Sequence, residues 1–259
     1  MLEVLMLKDI IVGTIAALVL AIVGTAFRYR NYLKIAINCF TFSRNKKIRV
    51  SMASILSIRR ENFFILVRNH HRPQTFGPIG GVYKYYPSAI EHLDKCGFQP
   101  QIRDQDMQND LRGFLLGKNL PSFLEWFFSG KNREIESLSR EIKEELQEIQ
   151  LSIKPDSISD LQYDLNKTII EGLSEVQGMD YLQFRYFGVY SLCAGNSKCD
   201  RLTERLFDEV GKNPNIIAVT ADEIIKRISR SGEIIGGQAG YLIGDTIIWQ
   251  PTPHYPEHL

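Results

Sequence analysis

The sequence predicts an α+β domain, a mixed β-sheet sandwiched between helices, preceded by an N-terminal transmembrane helix. Three observations carry that expectation. An uncharged apolar run, Ile10 to Phe27, opens the chain. Behind it, stretches of strand length mix with helical patterns without a regular βαβ period. Finally, SLSREIKEELQEI at 137–149 crowds carboxylates onto the polar face of a helix.

The opening run reads IIVGTIAALVLAIVGTAF. A helix of about 20 apolar residues crosses a bilayer core. A cleaved signal, the alternative, usually has a shorter apolar region and a small-residue cleavage site. Only Lys8 precedes the run, whereas Arg28, Arg30, Lys34, Arg44, Lys46, Lys47 and Arg49 follow it. Positive flanks stay in the cytoplasm, so the expectation is a single-pass protein of the cell inner membrane with a cytoplasmic C-terminal domain. The segments expected are a short N-terminus (1–9), the transmembrane helix (10–30), a juxtamembrane or interfacial segment (31–47) and a folded domain (48–259). YLKIAINCFTF at 32–42 is too short to span and reads as an interfacial or connecting helix, a second span being the alternative.

In the soluble part, Ile48–Ile58 and Asn62–Arg68 read as two strands of a hairpin-like start, with Arg59 to Glu61 as the turn. Gly77-Pro78 and Gly80-Gly81 punctuate the next loop. Ser88–Lys95 looks helical, and Leu120–Phe128 is a helix with Pro121 in its first turn. Ser137 is placed to cap the helix that carries REIKEE. Asp156–Gly178 is polar and reads as a loop or insertion. LQFRYFGVYSL at 182–192 is aromatic and β-rich, a strand. A short strand at Asn215–Val219 leads to Thr220, which with Glu223 makes a capping box for a helix from about Ala221 to Arg230. A short helix or strand follows near Gln238 to Ile243, then a proline-rich tail.

A net charge of +1 gives no global field for a nucleic-acid polymer, so no such partner is expected. Four scattered cysteines lack zinc spacing, which fits free thiols in a reducing compartment.

The carboxylates carry the candidate chemistry. On a helix, Glu141 reaches Glu144 and Glu145, and Arg140 reaches Glu144. A solvated acidic face is the bland explanation. The sharper one is a Mg²⁺ site made by Glu141, Glu144 and Glu145, because a hard cation takes carboxylate oxygens and substrate phosphates. Candidate ligand-binding residues are His70, His71 and Arg72 for phosphate, Tyr83 for base stacking, and Lys84 and Arg103 as further cations. Arg112 and Arg185 are weaker candidates.

REIKEEL resembles the core of the Nudix box, which ends in Arg-Glu-hydrophobic-x-Glu-Glu. FGPIGGV at 76–82 looks like the glycine loop that enters it, and ASILSIRRENFFILVRN resembles the first strands of the fold. The box departs from the pattern. A long insertion, about 82–135, separates Gly81 from Arg140; Asn132 stands at the spacing of the upstream glutamate; Gln147 replaces the closing glycine.

A membrane run joined to such a domain resembles the CD-NTase-associated, membrane-anchored Nudix effectors of bacterial CBASS anti-phage defence, with a SMODS-associated Nudix domain. The resemblance implies a Nudix-like domain that binds a cyclic oligonucleotide second messenger, forms a homo-oligomer and disrupts the inner membrane. The alternatives are a membrane-tethered, Mg-dependent Nudix hydrolase of nucleoside diphosphate-linked substrates, with Glu144 and Glu145 as catalytic residues, and a structural or scaffold protein with an inactive Nudix fold.

Overall fold

The computed structural model describes residues 30–70, 72–102, 107–151 and 160–243. The run at 10–27 lies outside the described residues, as do His71 and Arg103. Among the described residues no helix is long and apolar enough to cross a membrane.

Helix α1 (Arg30–Phe40) leads into β1 (Lys47–Ser57), β2 (Arg59–Arg60), β3 (Phe63–Asn69), β4 (Arg72–Gly77) and β5 (Gly80–Val82). The insertion holds α2 (Ile90–Lys95), β6 (Gln99–Pro100), β7 (Arg112–Leu116) and α3 (Leu120–Ser129). Then come α4 (Leu138–Glu148), β8 (Tyr163–Glu175), β9 (Leu182–Leu192), α5 (Ser197–Asp208), β10 (Ile216–Thr220), α6 (Ala221–Lys226) and β11 (Ile234–Ile235). Short 3₁₀ turns cover Pro87–Ala89, Gly117–Asn119 and Gly237–Leu242.

Two sheets form. The first has the order β6-β7-β1-β9-β8, with β5 also on β1. Strand β1 runs parallel to β9 and antiparallel to β5 and β7. Its near-continuous burial is that of a central strand covered on both faces, which the apolar run IRVSMASIL supports. The second sheet has the order β10-β3-β4-β11, with β2 on β3.

The hairpin expected from Ile48–Ile58 and Asn62–Arg68 is corrected by this topology. Strands β1 and β3 lie in different sheets, and only the two residues of β2 pair back onto β3. Two adjacent apolar runs with a polar turn do not encode which partner each strand takes; burial of β1 on both faces does. Asp156–Gly178 is likewise not a loop throughout. Tyr163–Glu175 is a long edge strand antiparallel to β9. Its first half exposes Asp164, Leu165 and Asn166, and only Ile169, Ile170 and Glu171 make a buried stretch, so local pattern understates it. The α6 capping box forms, with Thr220 N–H donating to Glu223 Oε2 at 2.8 Å. The helix ends at Arg227 in the left-handed region (φ 60°), shorter than the sequence reading.

Helix α4 shows why its position is secure. Leu138, Ile142, Leu146 and the following Ile149 share one face and are buried with Cys199, Leu202 and Leu206 of α5 against Leu56, Ile58, Ile65 and Val67. Each such aliphatic side chain contributes roughly 1.5–3 kcal/mol on burial. Glu144 is exposed on the far side of the helix, Glu141 flanks the apolar stripe, and Glu145, three residues after Ile142 and four before Ile149, borders it. A second cluster packs α3's Phe123, Trp126 and Phe127 with Met52, Tyr83, Phe184 and Tyr186, and with Ile35 and Cys39 of α1. The insertion is therefore structured: β7 extends the first sheet and α3 covers it.

Candidate functional site: an arginine-centred carboxylate helix

Strand β5 brings the glycine pair against its neighbours at van der Waals closeness. A Cβ on Gly80 would collide with the Ser54 carbonyl and sit 2.8 Å from the Ile55 Cα, and one on Gly81 would collide with the Glu141 carboxylate. Neither position has room for a side chain, so both glycines serve close approach. Gly80 N–H donates to Glu145 Oε1 at 3.2 Å.

The expected Ser137 side-chain cap of α4 does not form. Ser137 Oγ instead shares a buried hydrogen bond with Ser54 Oγ and donates to the Gly81 carbonyl at 3.1 Å. It ties helix, glycine loop and β1 together. Glu136 takes over at the helix start, accepting from Ser139 N–H at 3.0 Å.

Arg140 is the centre of the cluster. Its Nε and Nη2 donate to the two carboxylate oxygens of Glu134 at 3.0 and 3.2 Å. Nη2 also donates to the Val82 carbonyl at 2.9 Å. Nη1 faces Glu141 Oε1 at 2.5 Å and Glu144 Oε2 at 3.1 Å. The bidentate fork and the charge-assisted bonds fix these groups strongly.

Glu134 stands six residues before Arg140, and the insertion's return path delivers it. Lys84 and Glu134 are joined by Lys84 N–H to Glu134 Oε2 and Glu134 N–H to Lys84 O, both 2.9 Å. An antiparallel bridge pairs Tyr85 with Arg133, and Tyr86 N–H donates to Asn132 O at 2.9 Å. The insertion is thus pinched shut at its base, and the glycine loop and helix meet as though it were absent. Asp110, also from the insertion, is buried and lies 3.8 Å from Lys84 Nζ.

Burial dominates the electrostatics. It pushes Glu141 up to about 7; Arg140 opposes the shift, and Glu144 and Asp110 add to it. Burial likewise holds Glu145 well above the usual carboxylate range, the Gly80 N–H opposing. Asp110 is pushed up to about 6 by burial, against Arg112, Lys84 and Arg140. Perturbed carboxylates beside a glycine loop are the kind of cluster that marks functional sites.

The three expected Mg²⁺ ligands do not converge in this arrangement. Glu141 and Glu144 both face Arg140, while Glu145 faces the Gly80 amide. Among the described residues no three His, Cys, Asp or Glu side chains are grouped so as to hold a metal ion. A guanidinium, rather than a shared opening for a cation, stands between Glu141 and Glu144.

The candidate ligand-binding residues are dispersed. Tyr83 is 1% exposed, its hydroxyl 3.2 Å from that of Tyr190 and its ring edge-on to Phe127; it is core and cannot stack a base as placed. Lys84 does belong to the site, beside Asp110 and Glu134. His70 and Arg72 are exposed where β3 turns into β4. Strand β4 carries them roughly 16 Å from its other end at the strand rise of about 3.3 Å per residue, so they do not join the glycine pair. Arg185 is ion-paired with the buried Glu171. Sequence reasoning passed over Asp110 and Ser54, which carry no local signal; it gave Ser137 a capping role in place of its bond to Ser54, and for Glu134 it had only nearness to the spacing of the upstream glutamate.

A glycine pair set against an RE…EE helix on a mixed sheet defines a Nudix-type domain. The family model of the SMODS-associated NUDIX domain matches residues 47–243, most of the chain, and the chain belongs to that family. No curated protein and no solved structure matches it. The membership supports a Nudix effector of CBASS-type systems.

Proposed function

We propose that this chain is a membrane-anchored CBASS effector whose Nudix-like domain binds a cyclic oligonucleotide second messenger. Binding drives self-association, and the segment at 10–27 then disrupts the inner membrane. The observation that carries the reading is the match of the SMODS-associated Nudix family over 47–243, joined to an uncharged run long enough to span. The domain is a sensor and the run is the weapon. In the site itself, Lys84 places a cation beside Asp110 at the base of the insertion, and phosphate binding at Arg140 requires it to exchange one of its carboxylate partners for the ligand.

One observation favours a second reading, a Mg-dependent hydrolase of nucleoside diphosphate-linked substrates. Glu141, Glu144 and Glu145 lie on one helix beside Gly80 and Gly81, and two of them have raised proton affinity. Glu144 and Glu145 would then be the catalytic pair. Such chemistry requires Arg140 to leave Glu144 and Glu141 so that their oxygens face a cation.

Thermal unfolding of the purified chain against cyclic di- and trinucleotides, with and without Mg²⁺, tests the two. A ligand at about 100 times its Kd adds roughly 2.7 kcal/mol of stability. A shift with one cyclic nucleotide that is recovered intact supports the sensor. No shift, with Mg-dependent turnover of a linear dinucleotide that E144Q/E145Q abolishes, overturns it in favour of the hydrolase.

A further inference from the structure

Helix α1 has two apolar faces, and only one is covered. Ile35 and Cys39 are buried against the domain, and the Tyr32 ring meets Phe128 edge-on at 5.9 Å. The segment after the helix is fastened to the insertion. Gly117 N–H donates to Lys46 O, and Lys118 N–H to Arg44 O, each at 3.0 Å. Gly117 packs so closely on the Ser43 carbonyl that a Cβ there would collide with it. The other face is bare. Leu33, Ile37 and Phe40 are 46%, 59% and 54% exposed, and Phe42 just beyond is 82% exposed. Spacings of four and three residues put the first three on one stripe. No other stretch of the described chain exposes so many large apolar side chains within so few residues.

We propose that this outward face of α1 lies on an anionic lipid surface. Charge favours that occupant. From Ile10 to Arg60 there is no Asp or Glu; Lys34 is exposed on the helix beside the stripe, and Arg44, Lys46 and Lys47 are exposed in the segment that follows it. An apolar stripe flanked by lysine and arginine is the signature of a helix lying in the headgroup region of anionic lipid. Position agrees, because the uncharged run ends at Phe27 and α1 begins at Arg30. Two such faces, both cationic and free of acid, repel one another, which disfavours a second copy as the occupant. The inference rests on the membrane reading above and adds to it. With one face in lipid and the other fixed on the insertion, α1 holds the Nudix domain at a set height and orientation on the membrane.

The test uses the full chain reconstituted in phosphatidylcholine–phosphatidylglycerol vesicles, in two versions, I37W and K212W. Both sites are exposed, and Lys212 lies in the turn after α5, a helix that packs in the cluster around α4 and not in the one that holds α1. Vesicle flotation is measured first, then tryptophan quenching by lipids brominated near the headgroup end of the acyl chain. The expected result is flotation of both, extra quenching in I37W over the parent chain and none in K212W. Flotation without quenching of I37W overturns this inference and leaves the membrane reading standing. Failure to float overturns both. Unquenched I37W together with an I37C disulfide between copies overturns it in favour of a self-interface. Loss of I37W-type quenching in L33Q/F40Q, with flotation retained, is the confirming control.

Discussion

Gly81 and Glu141 share a space that holds only one of them plus a hydrogen atom. Replacing Gly81 by Ala drives a methyl into the Glu141 carboxylate, so Glu141 must leave Arg140 or β5 must shift. Overpacking of this kind costs about 1–3 kcal/mol. A methyl placed on Gly77 would meet nothing within 4 Å, so G77A is the matched control and should stay within about 0.5 kcal/mol. Urea unfolding of the two variants reads the difference directly. The same neighbourhood sets a pH dependence. The Glu141 carboxyl is raised from 4.5 to about 7 by burial, so the folded state holds its proton more tightly than the unfolded chain. Stability from this group is therefore full below about pH 4.5 and falls as pH rises to about 7. The expected outcome is that E141Q flattens the decline of the urea midpoint across that window; an unchanged slope would assign the decline to Asp110 or Glu145.

At the scale of elements, α4 is held by its apolar face and loaded on its polar one. Ile142 is fully buried, and I142A should cost about 2–4 kcal/mol with the fold retained. Glu134 has a different part. It is the two-oxygen partner of Arg140 and the seam that closes the insertion. E134Q keeps the shape and loses the charge. It should cost about 1–3 kcal/mol, because a half-buried guanidinium loses its bidentate carboxylate. It should also free Arg140 toward Glu141 and Glu144, which hydrogen exchange of the 132–134 and 84–86 amides would register as faster opening. The acidic helix, the Thr220 box and the β9 strand were legible because each is encoded within a dozen consecutive residues. Strand β8 was not, since its pairing with β9 supplies what its own polar residues do not. The part played by Glu134 was hidden because it depends on a loop closure some fifty residues long, set by the bond between residues 84 and 134.

At the scale of the whole molecule, the insertion is the link between the carboxylate helix and the chain's N-terminal side. Its β7 extends β1, its α3 packs on α1, and its return segment carries Glu134 to Arg140. Under the effector reading, ligand recognition and membrane action are separable. Placing two charges within 10–27, for example L18K/V23D, should abolish leakage of reconstituted vesicles while leaving the cyclic-nucleotide thermal shift of the domain unchanged. A variant that loses both would show that the run also supports folding of the domain.

The sequence by itself determined the family-bearing motif, the α+β class, the apolar run and the carboxylate face, because each is written in periodicity or composition over short spans. The tertiary structure alone decided which sheet β1 and β3 enter, that Tyr83 is core, that His70 and Arg72 stand apart from the glycine pair, and that Arg140 is surrounded by Glu134, Glu141 and Glu144. These are contacts between residues far apart in the chain. Their energies depend on burial and distance, which no local pattern records.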